Sequence, residues 1–320
     1  MTDSNNTKQG RDCAIDYLKV LAVFFVMNSH MELCYPKFAF LATGGAIGDA
    51  LFFFASGFTL FLGRRMRFDN WYKRRLNRIY PSIFAAAIIA ALFWNFSEYF
   101  MDVLIGKRYW FIGCILVYYV FLYPIKEYKD GKLAKTALYI TGIIIVFIYF
   151  LFFNDGKIFY GDGIFRYFAF FLIMLQGAIM GKTPHSYKNE YVLLLIVSII
   201  GFYTLFYLGK GNWTILLSFP FLMGITRYSY LCCSMPFLSK KYEGIIWGSI
   251  VFILSQLCLE VYLIQKFVFT DRLNYIFPLN IPIIMLSVII VAYLTKSIAE
   301  FISQTFKTEP YDWTKLILKK

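Results

Sequence analysis

The chain has 320 residues, of which 59% are hydrophobic, 21% aromatic and only 16% charged. This composition, with a mean hydropathy of +0.60, excludes a soluble globular domain and predicts a polytopic membrane protein. The formal net charge of +13 does not indicate nucleic-acid binding, because the basic residues are concentrated in short segments next to apolar runs, as in proteins that face anionic lipid headgroups.

Apolar runs separated by polar breaks predict about ten transmembrane helices and therefore an all-α fold. The eighth is the least regular, because Pro220 and Gly224 interrupt it. Residues 1–320 are expected to form a single transmembrane domain, with a polar tail at 1–12 and a basic tail at 306–320. The predicted spans are residues 14–35, 42–63, 79–97, 109–125, 134–153, 163–181, 190–208, 212–230, 244–265 and 281–303.

The Lys and Arg residues in the tails, in the connections and at the ends of these spans are divided unequally between the two sides of the membrane. With ten spans, twenty-one of them fall on the side of the N-terminal tail and seven on the other side. The positive-inside rule then predicts that both termini are cytoplasmic. The expected location is the cell membrane.

The first predicted span contains His30. A titratable group is costly in lipid, so His30 is a candidate functional residue, and an imidazole suits proton or acyl transfer near neutral pH. The alternative is a histidine that is hydrogen-bonded between packed helices. Lys19 faces the same way, about 16 Å from His30 along the helix axis. Asp16 is expected to pair with Lys19, which either snorkels to the surface or contacts a ligand.

The segment 64–78 contains seven basic residues, more than membrane orientation requires. Arg75 and Arg78 are spaced i and i+3, so they share a helix face and form a two-pronged site for phosphates. The alternative is a topology signal that contacts lipid headgroups.

Glu260 is a second candidate catalytic residue. It lies about as deep in the ninth predicted span as His30 does in the first, so it is predicted to face His30 and raise the basicity of the imidazole. The alternative is an ion pair with another buried cation, such as Arg166. With one histidine at this depth and no cluster of carboxylates, no metal site is expected.

Several short motifs occur in an order and at a spacing that resemble the membrane acyltransferase-3 family. The resemblance is dense over residues 11–125 and thin afterwards. Trp110-Phe111 with Tyr118, Tyr119 and Pro124 is similar to the next block of that family, and residues 260–265 are similar to its late helix. The motifs that carry the resemblance are DYLK at 16–19, His30, GDALFF at 48–53, SGF at 56–58 and RLNRIYP at 75–81.

The resemblance implies a bacterial-type integral membrane O-acyltransferase. Such an enzyme takes an acyl group, usually acetyl, from cytosolic acetyl-CoA and passes it to a hydroxyl of an envelope glycan or a lipid-linked sugar. The resemblance also implies that His30 is essential for transfer and that Arg75 and Arg78 hold the CoA end of the donor. Lys19 stands where the family has arginine, and Gln265 where its late helix often has histidine.

A transporter or flippase of an anionic or lipid-linked sugar substrate is the alternative function, with the same charges lining a transport pathway. Transporter folds often contain internal repeats and helices broken at matched positions. This chain has one clearly interrupted predicted span and no repeat, which favours the enzyme. The acceptor sugar, the acyl chain, the oligomeric state and the role of His30 as base or acyl carrier are left open by the sequence.

Overall fold

The computed structural model describes residues 11–62, 66–94, 109–127, 132–152, 164–183, 185–209 and 213–320. Within these ranges the chain is helical and contains no β-strand, in agreement with the predicted all-α class. The first ten residues of the predicted N-terminal tail, and Arg64 and Arg65 of the basic segment, lie outside the described residues.

The described residues form twelve α-helices, joined by short connections that include several 3₁₀ turns. Each of the ten predicted spans overlaps at least one of them. The helices are α1 (Cys13–Ser29), α2 (Gly45–Leu62), α3 (Phe68–Trp94), α4 (Trp110–Glu127), α5 (Lys132–Phe152), α6 (Ile164–Met180), α7 (Glu190–Leu208), α8 (Ser218–Cys233), α9 (Pro236–Glu243), α10 (Ile245–Gln256), α11 (Cys258–Val268) and α12 (Asn280–Thr305).

Several of these helices have the length and composition of membrane spans, so the chain is a multi-pass membrane protein. Six segments in the described part of the chain qualify, and α10 with α11 makes a seventh if this bent pair crosses as one span. Helices α4 and α6 are apolar but shorter. The count of ten crossings and the cytoplasmic position of both termini stay predictions. The six segments are Ala39–Leu60, Phe68–Phe93, Leu133–Leu151, Glu190–Leu208, Trp213–Cys233 and Asn280–Thr305.

Helix α3 begins eleven residues earlier than the span predicted at 79–97. The helix continues through Pro81. Proline removes a single backbone hydrogen bond, and the residues before it, such as Lys73, Arg74 and Leu76, are good helix formers. The described part of the basic segment is therefore mostly helical, and Arg75 and Arg78 are held on a regular scaffold.

The ninth predicted span is divided at Leu257 into α10 and α11, which are bent by 73° relative to each other. Helix α11 packs beside α1: the Cys258 thiol lies 3.8 Å from the Lys19 carbonyl oxygen. Beyond the other end of α11, the Cys34 thiol lies 3.6 Å from the Thr270 carbonyl oxygen. Helix α11 therefore runs parallel to α1, with its start beside Lys19.

Close backbone contact fixes α2 against its neighbours. A Cβ atom on Gly57 would lie 1.9 Å from the Met174 carbonyl oxygen of α6, and one on Gly177 of α6 would lie 2.1 Å from the Phe54 carbonyl oxygen. A Cβ on Gly48 would lie 2.6 Å from a methyl group of Val26 on α1. Small residues let membrane helices approach this closely. Helices α1, α2 and α6 thus form a tightly packed scaffold.

The segment that follows α12 folds back along that helix. The Ser297 hydroxyl donates to the Leu316 carbonyl at 2.9 Å, and the Leu318 amide donates to the Tyr293 hydroxyl at 3.3 Å. The predicted basic tail at 306–320 is therefore partly packed against the helical bundle, and it brings Leu318 to the wall of a cavity.

Candidate functional site

A cavity of about 540 Å³ lies between α1, α2, α3, α4, α11 and α12. Its wall is rich in charged side chains. A second cavity, of about 640 Å³, adjoins it and shares several of its residues, including Arg11, Lys19 and Arg78. The charged side chains of the first cavity are Arg11, Lys19, Arg75, Arg78, Lys296, Glu260 and Glu300.

The lining of the cavity changes from charged to aromatic side chains along the direction from Lys19 to His30. Thr59 and Phe52 both line it from α2, and seven residues separate them, about 10 Å of helix rise. The wall on the His30 side carries aromatic groups, namely Phe52, Phe111 and Tyr262. A charged end therefore leads into an aromatic end.

Asp16 does not pair with Lys19, contrary to the sequence prediction. The Arg11 guanidinium binds both Asp16 carboxylate oxygens, at 2.5 and 2.7 Å. The Tyr242 and Ser255 hydroxyls also donate to this carboxylate, at 2.6 and 3.0 Å. Burial and the Asp16 hydrogen bond raise the pKa of Tyr242, so its phenol remains a donor. Asp16 is thus fully occupied by groups other than Lys19.

Lys19, Arg75 and Arg78 line the cavity without a carboxylate partner among the residues that the structure describes. The Arg75 guanidinium lies 5.5 Å from the ring centroids of both Trp71 and Tyr119. These cation–π contacts orient Arg75 but leave its charge uncompensated. Three positive charges therefore face one cavity, an arrangement suited to an anionic ligand.

Glu260 does not face His30, and the prediction that it tunes the imidazole is wrong. The Ser82 hydroxyl donates to Glu260 Oε1 at 2.6 Å, and Lys296 Nζ lies 3.4 Å from the same oxygen. The predicted depth assumed a straight helix from residue 244, whereas the bend at Leu257 places Cys258, two residues before Glu260, beside Lys19.

Arg166, the other partner considered for Glu260, lies elsewhere. Its guanidinium is 4.3 Å from the ring centroid of Trp110 and donates to the Tyr167 hydroxyl at 3.3 Å. The alternative in the sequence analysis, an ion pair between Glu260 and a cation, describes the structure better, but the cation is the partly buried Lys296 and not Arg166.

His30 caps the C-terminal end of α1 and its side chain is exposed. It does not line either cavity described above. The structure therefore brings Lys19, Arg75, Arg78 and Glu260 together in one cavity and places His30 at the opposite end of α1.

Sequence reasoning missed Lys296 and Arg11 as members of this cavity, and it missed Ser82 as a partner of Glu260. A signal for Lys296 was available, because a lysine inside the apolar span 281–303 is as unusual as a histidine in the first span. Lys296 also pairs with Glu300, at 3.3 Å. Neither Ser82 nor Arg11 has a local signature, since their roles depend on distant partners.

The helical, multi-pass chain belongs to the class of integral membrane proteins, and Lys19, Arg75 and Arg78 line one of its cavities without a carboxylate partner among the described residues. The family model of the acyltransferase domain matches residues 13–296, most of the chain. The chain belongs to the acyltransferase-3 family and is a membrane acyltransferase. The family resemblance seen in the sequence motifs is therefore confirmed. Comparisons with curated proteins and with solved structures gave no match.

Proposed function

We propose that this acyltransferase takes an acetyl group from cytosolic acetyl-CoA and transfers it to a hydroxyl of an envelope glycan or a lipid-linked sugar. The observation that carries the proposal is the group of three uncompensated cations, Lys19, Arg75 and Arg78, around one cavity. Phosphate groups are strong ligands for arginine and lysine side chains. The proposal places the enzyme in the cell membrane of a bacterial-type envelope, with this cavity open toward the cytoplasm.

The cavity matches the two chemically different parts of such a donor. The phosphates of CoA bind at the cationic end, and the neutral arm that carries the thioester extends toward the aromatic end at Phe52, Phe111 and Tyr262. The direction of this arm is toward the end of α1 that carries His30. Gly45, where α2 begins, lies against Ser29, so about 10 Å of helix rise separates Phe52 from the level of His30.

His30 is proposed as the general base or as a transient acyl carrier. As a base, the imidazole takes the proton of the acceptor hydroxyl while the hydroxyl oxygen attacks the thioester carbonyl. The CoA thiolate then leaves and is protonated. As a carrier, the imidazole itself attacks the thioester carbonyl and displaces the CoA thiolate. The acyl-imidazole then passes its acyl group to the acceptor hydroxyl, and the imidazole leaves with the hydroxyl proton. Exposure of the His30 side chain at the end of α1 supports access by an acceptor.

The donor half of the proposal is tested by titrating CoA into the full chain in lipid nanodiscs, with calorimetric detection. Binding is expected at low ionic strength, and it should weaken with added salt, because the cations are partly open to solvent. Adenosine, which has no phosphate, is the control ligand and is expected not to bind. Absence of CoA binding at low ionic strength would refute the donor assignment.

The acceptor half is tested in cells by deleting the gene and comparing the masses of the envelope glycans. Loss of one acetyl unit from a glycan is expected and would identify the acceptor. A transporter or flippase would instead change the location of a lipid-linked sugar without changing its ester content.

A further inference from the structure

The Glu260 carboxylate has one oxygen that is buried and unpartnered. Its Oε1 atom accepts from Ser82 and faces Lys296, whereas Oε2 has no hydrogen-bond partner among the described residues. The side chain is 1% exposed, and Glu260 lines the cavity of the proposed donor site. A buried carboxylate oxygen without a donor is costly, so this atom is suited to accept a hydrogen bond from a ligand.

Two helices place Glu260 deeper in the cavity than the cations. On α11, Glu260 follows Cys258, whose thiol lies beside the Lys19 carbonyl. On α3, Ser82, which binds Glu260, lies four residues after Arg78, about 6 Å of helix rise. Tyr262, at the aromatic end, is two residues further along α11. The order from the cationic end is therefore Arg78 and Lys19, then Glu260, then Tyr262.

A carboxylate at this depth selects for a neutral group that donates a hydrogen bond. It repels phosphate, so a phosphate cannot be its partner while Lys19, Arg75 and Arg78 are available nearby. The arm that joins the phosphates of an acyl-CoA to its thioester is pantetheine, which carries amide N–H groups and one hydroxyl. These N–H and O–H groups can reach Glu260 while the phosphates are bound at the cationic end.

We infer that Glu260 accepts a hydrogen bond from the pantetheine arm of the acyl donor and thereby orients the thioester toward the aromatic end of the cavity. This inference rests on the proposed function, and it makes Glu260 a binding and orienting residue instead of a partner of His30. Its role is separable from charge balance at Lys296, because Lys296 has a second carboxylate partner in Glu300.

The test compares two ligands on the full chain in nanodiscs, CoA and adenosine 3′,5′-bisphosphate, which has phosphates but no pantetheine arm. In Glu260→Gln, CoA affinity is expected to fall about fivefold to tenfold, because a charge-assisted hydrogen bond is replaced by a weaker one to a neutral amide oxygen. The affinity for adenosine 3′,5′-bisphosphate is expected to stay the same or rise, because a nearby negative charge is removed. Glu260→Leu should lose more CoA affinity than Glu260→Gln.

Glu300→Gln is the matched comparison, since it also removes one carboxylate from Lys296. It is expected to change the affinities for both ligands by a similar factor. An equal loss for both ligands in Glu260→Gln, or unchanged CoA affinity, would overturn the inference while leaving the donor site in place. A wild-type chain that binds neither ligand would overturn the proposed donor site as well.

Discussion

Arg11 holds Asp16 through two hydrogen bonds, from Nε at 2.5 Å and from Nη2 at 2.7 Å. This pair joins the start of α1 to α9 and α10, through Tyr242 and Ser255. Since Asp16 is occupied in this way, the Lys19 ammonium is left uncompensated at the cavity wall. The positive charge of the cavity is thus a consequence of how the neighbouring carboxylate is bound.

Lys19→Gln is therefore expected to weaken CoA binding by about tenfold or more, the size of one hydrogen bond to a charged group. Lys19→Arg keeps the charge, so its CoA affinity is expected to remain within about threefold of the wild-type affinity. The measurement is a CoA titration of both variants in nanodiscs. Equal affinity of Lys19→Gln and the wild type would mean that Lys19 only snorkels to the surface.

Replacing Arg75 or Arg78 with lysine keeps the charge of the segment but removes the planar guanidinium. Weaker CoA binding with normal membrane insertion is expected for both variants, because lysine cannot bind a phosphate in a bidentate manner. Arg75→Lys also weakens the contacts with Trp71 and Tyr119. Arg74→Lys is the control, since Arg74 is exposed and does not line the cavity. Unchanged CoA affinity in both test variants would identify the segment as a topology signal.

His30→Ala is expected to reduce acyl transfer by at least about 10²- to 10⁴-fold, the usual contribution of a general base. CoA affinity should be unaffected, because His30 lies outside the cavity and about 16 Å of helix rise from Lys19. Product formation and CoA binding are measured on the same purified samples. A well-folded variant that still forms the ester at a near-normal rate would remove His30 from the mechanism.

The pH dependence of turnover separates Glu260 from His30. Because Glu260 contacts Ser82 and Lys296 and not the imidazole, Glu260→Gln is expected to leave the acid limb of the kcat–pH profile in place at saturating donor. A shift of that limb to lower pH in Glu260→Gln would contradict this assignment, because it would mean that the carboxylate stabilises the imidazolium.

Gly57→Ala is expected to destabilise the helical bundle, since its Cβ would lie 1.9 Å from the Met174 carbonyl oxygen. Overpacking of this kind costs about 1–3 kcal/mol or more. Gly113→Ala is the matched control on α4, where a Cβ has no atom within 4 Å, and it should be neutral or slightly stabilising because alanine is the better helix former. Thermal unfolding in detergent compares the two. Equal unfolding temperatures for both variants would contradict the packing between α2 and α6.

The sequence by itself determined the all-α class, the family and the approximate position of each apolar segment. Run length and composition decide whether a segment can be a membrane helix, and these are local properties. The i, i+3 spacing likewise placed Arg75 and Arg78 on one face, because helix geometry is the same wherever the helix sits. Lys19 and His30 are eleven positions apart, so the sequence also predicted their separation along α1, for the same reason.

Only the tertiary structure decided which charges meet. Asp16 binds Arg11 and not Lys19, and Glu260 binds Lys296 and not His30. Periodicity gives depth and direction along a straight helix, but it specifies neither the neighbouring helix nor a bend such as the one at Leu257. The energy of an ion pair depends on the distance between its charges through space, and in this protein that distance is set by helix packing between residues far apart in the sequence.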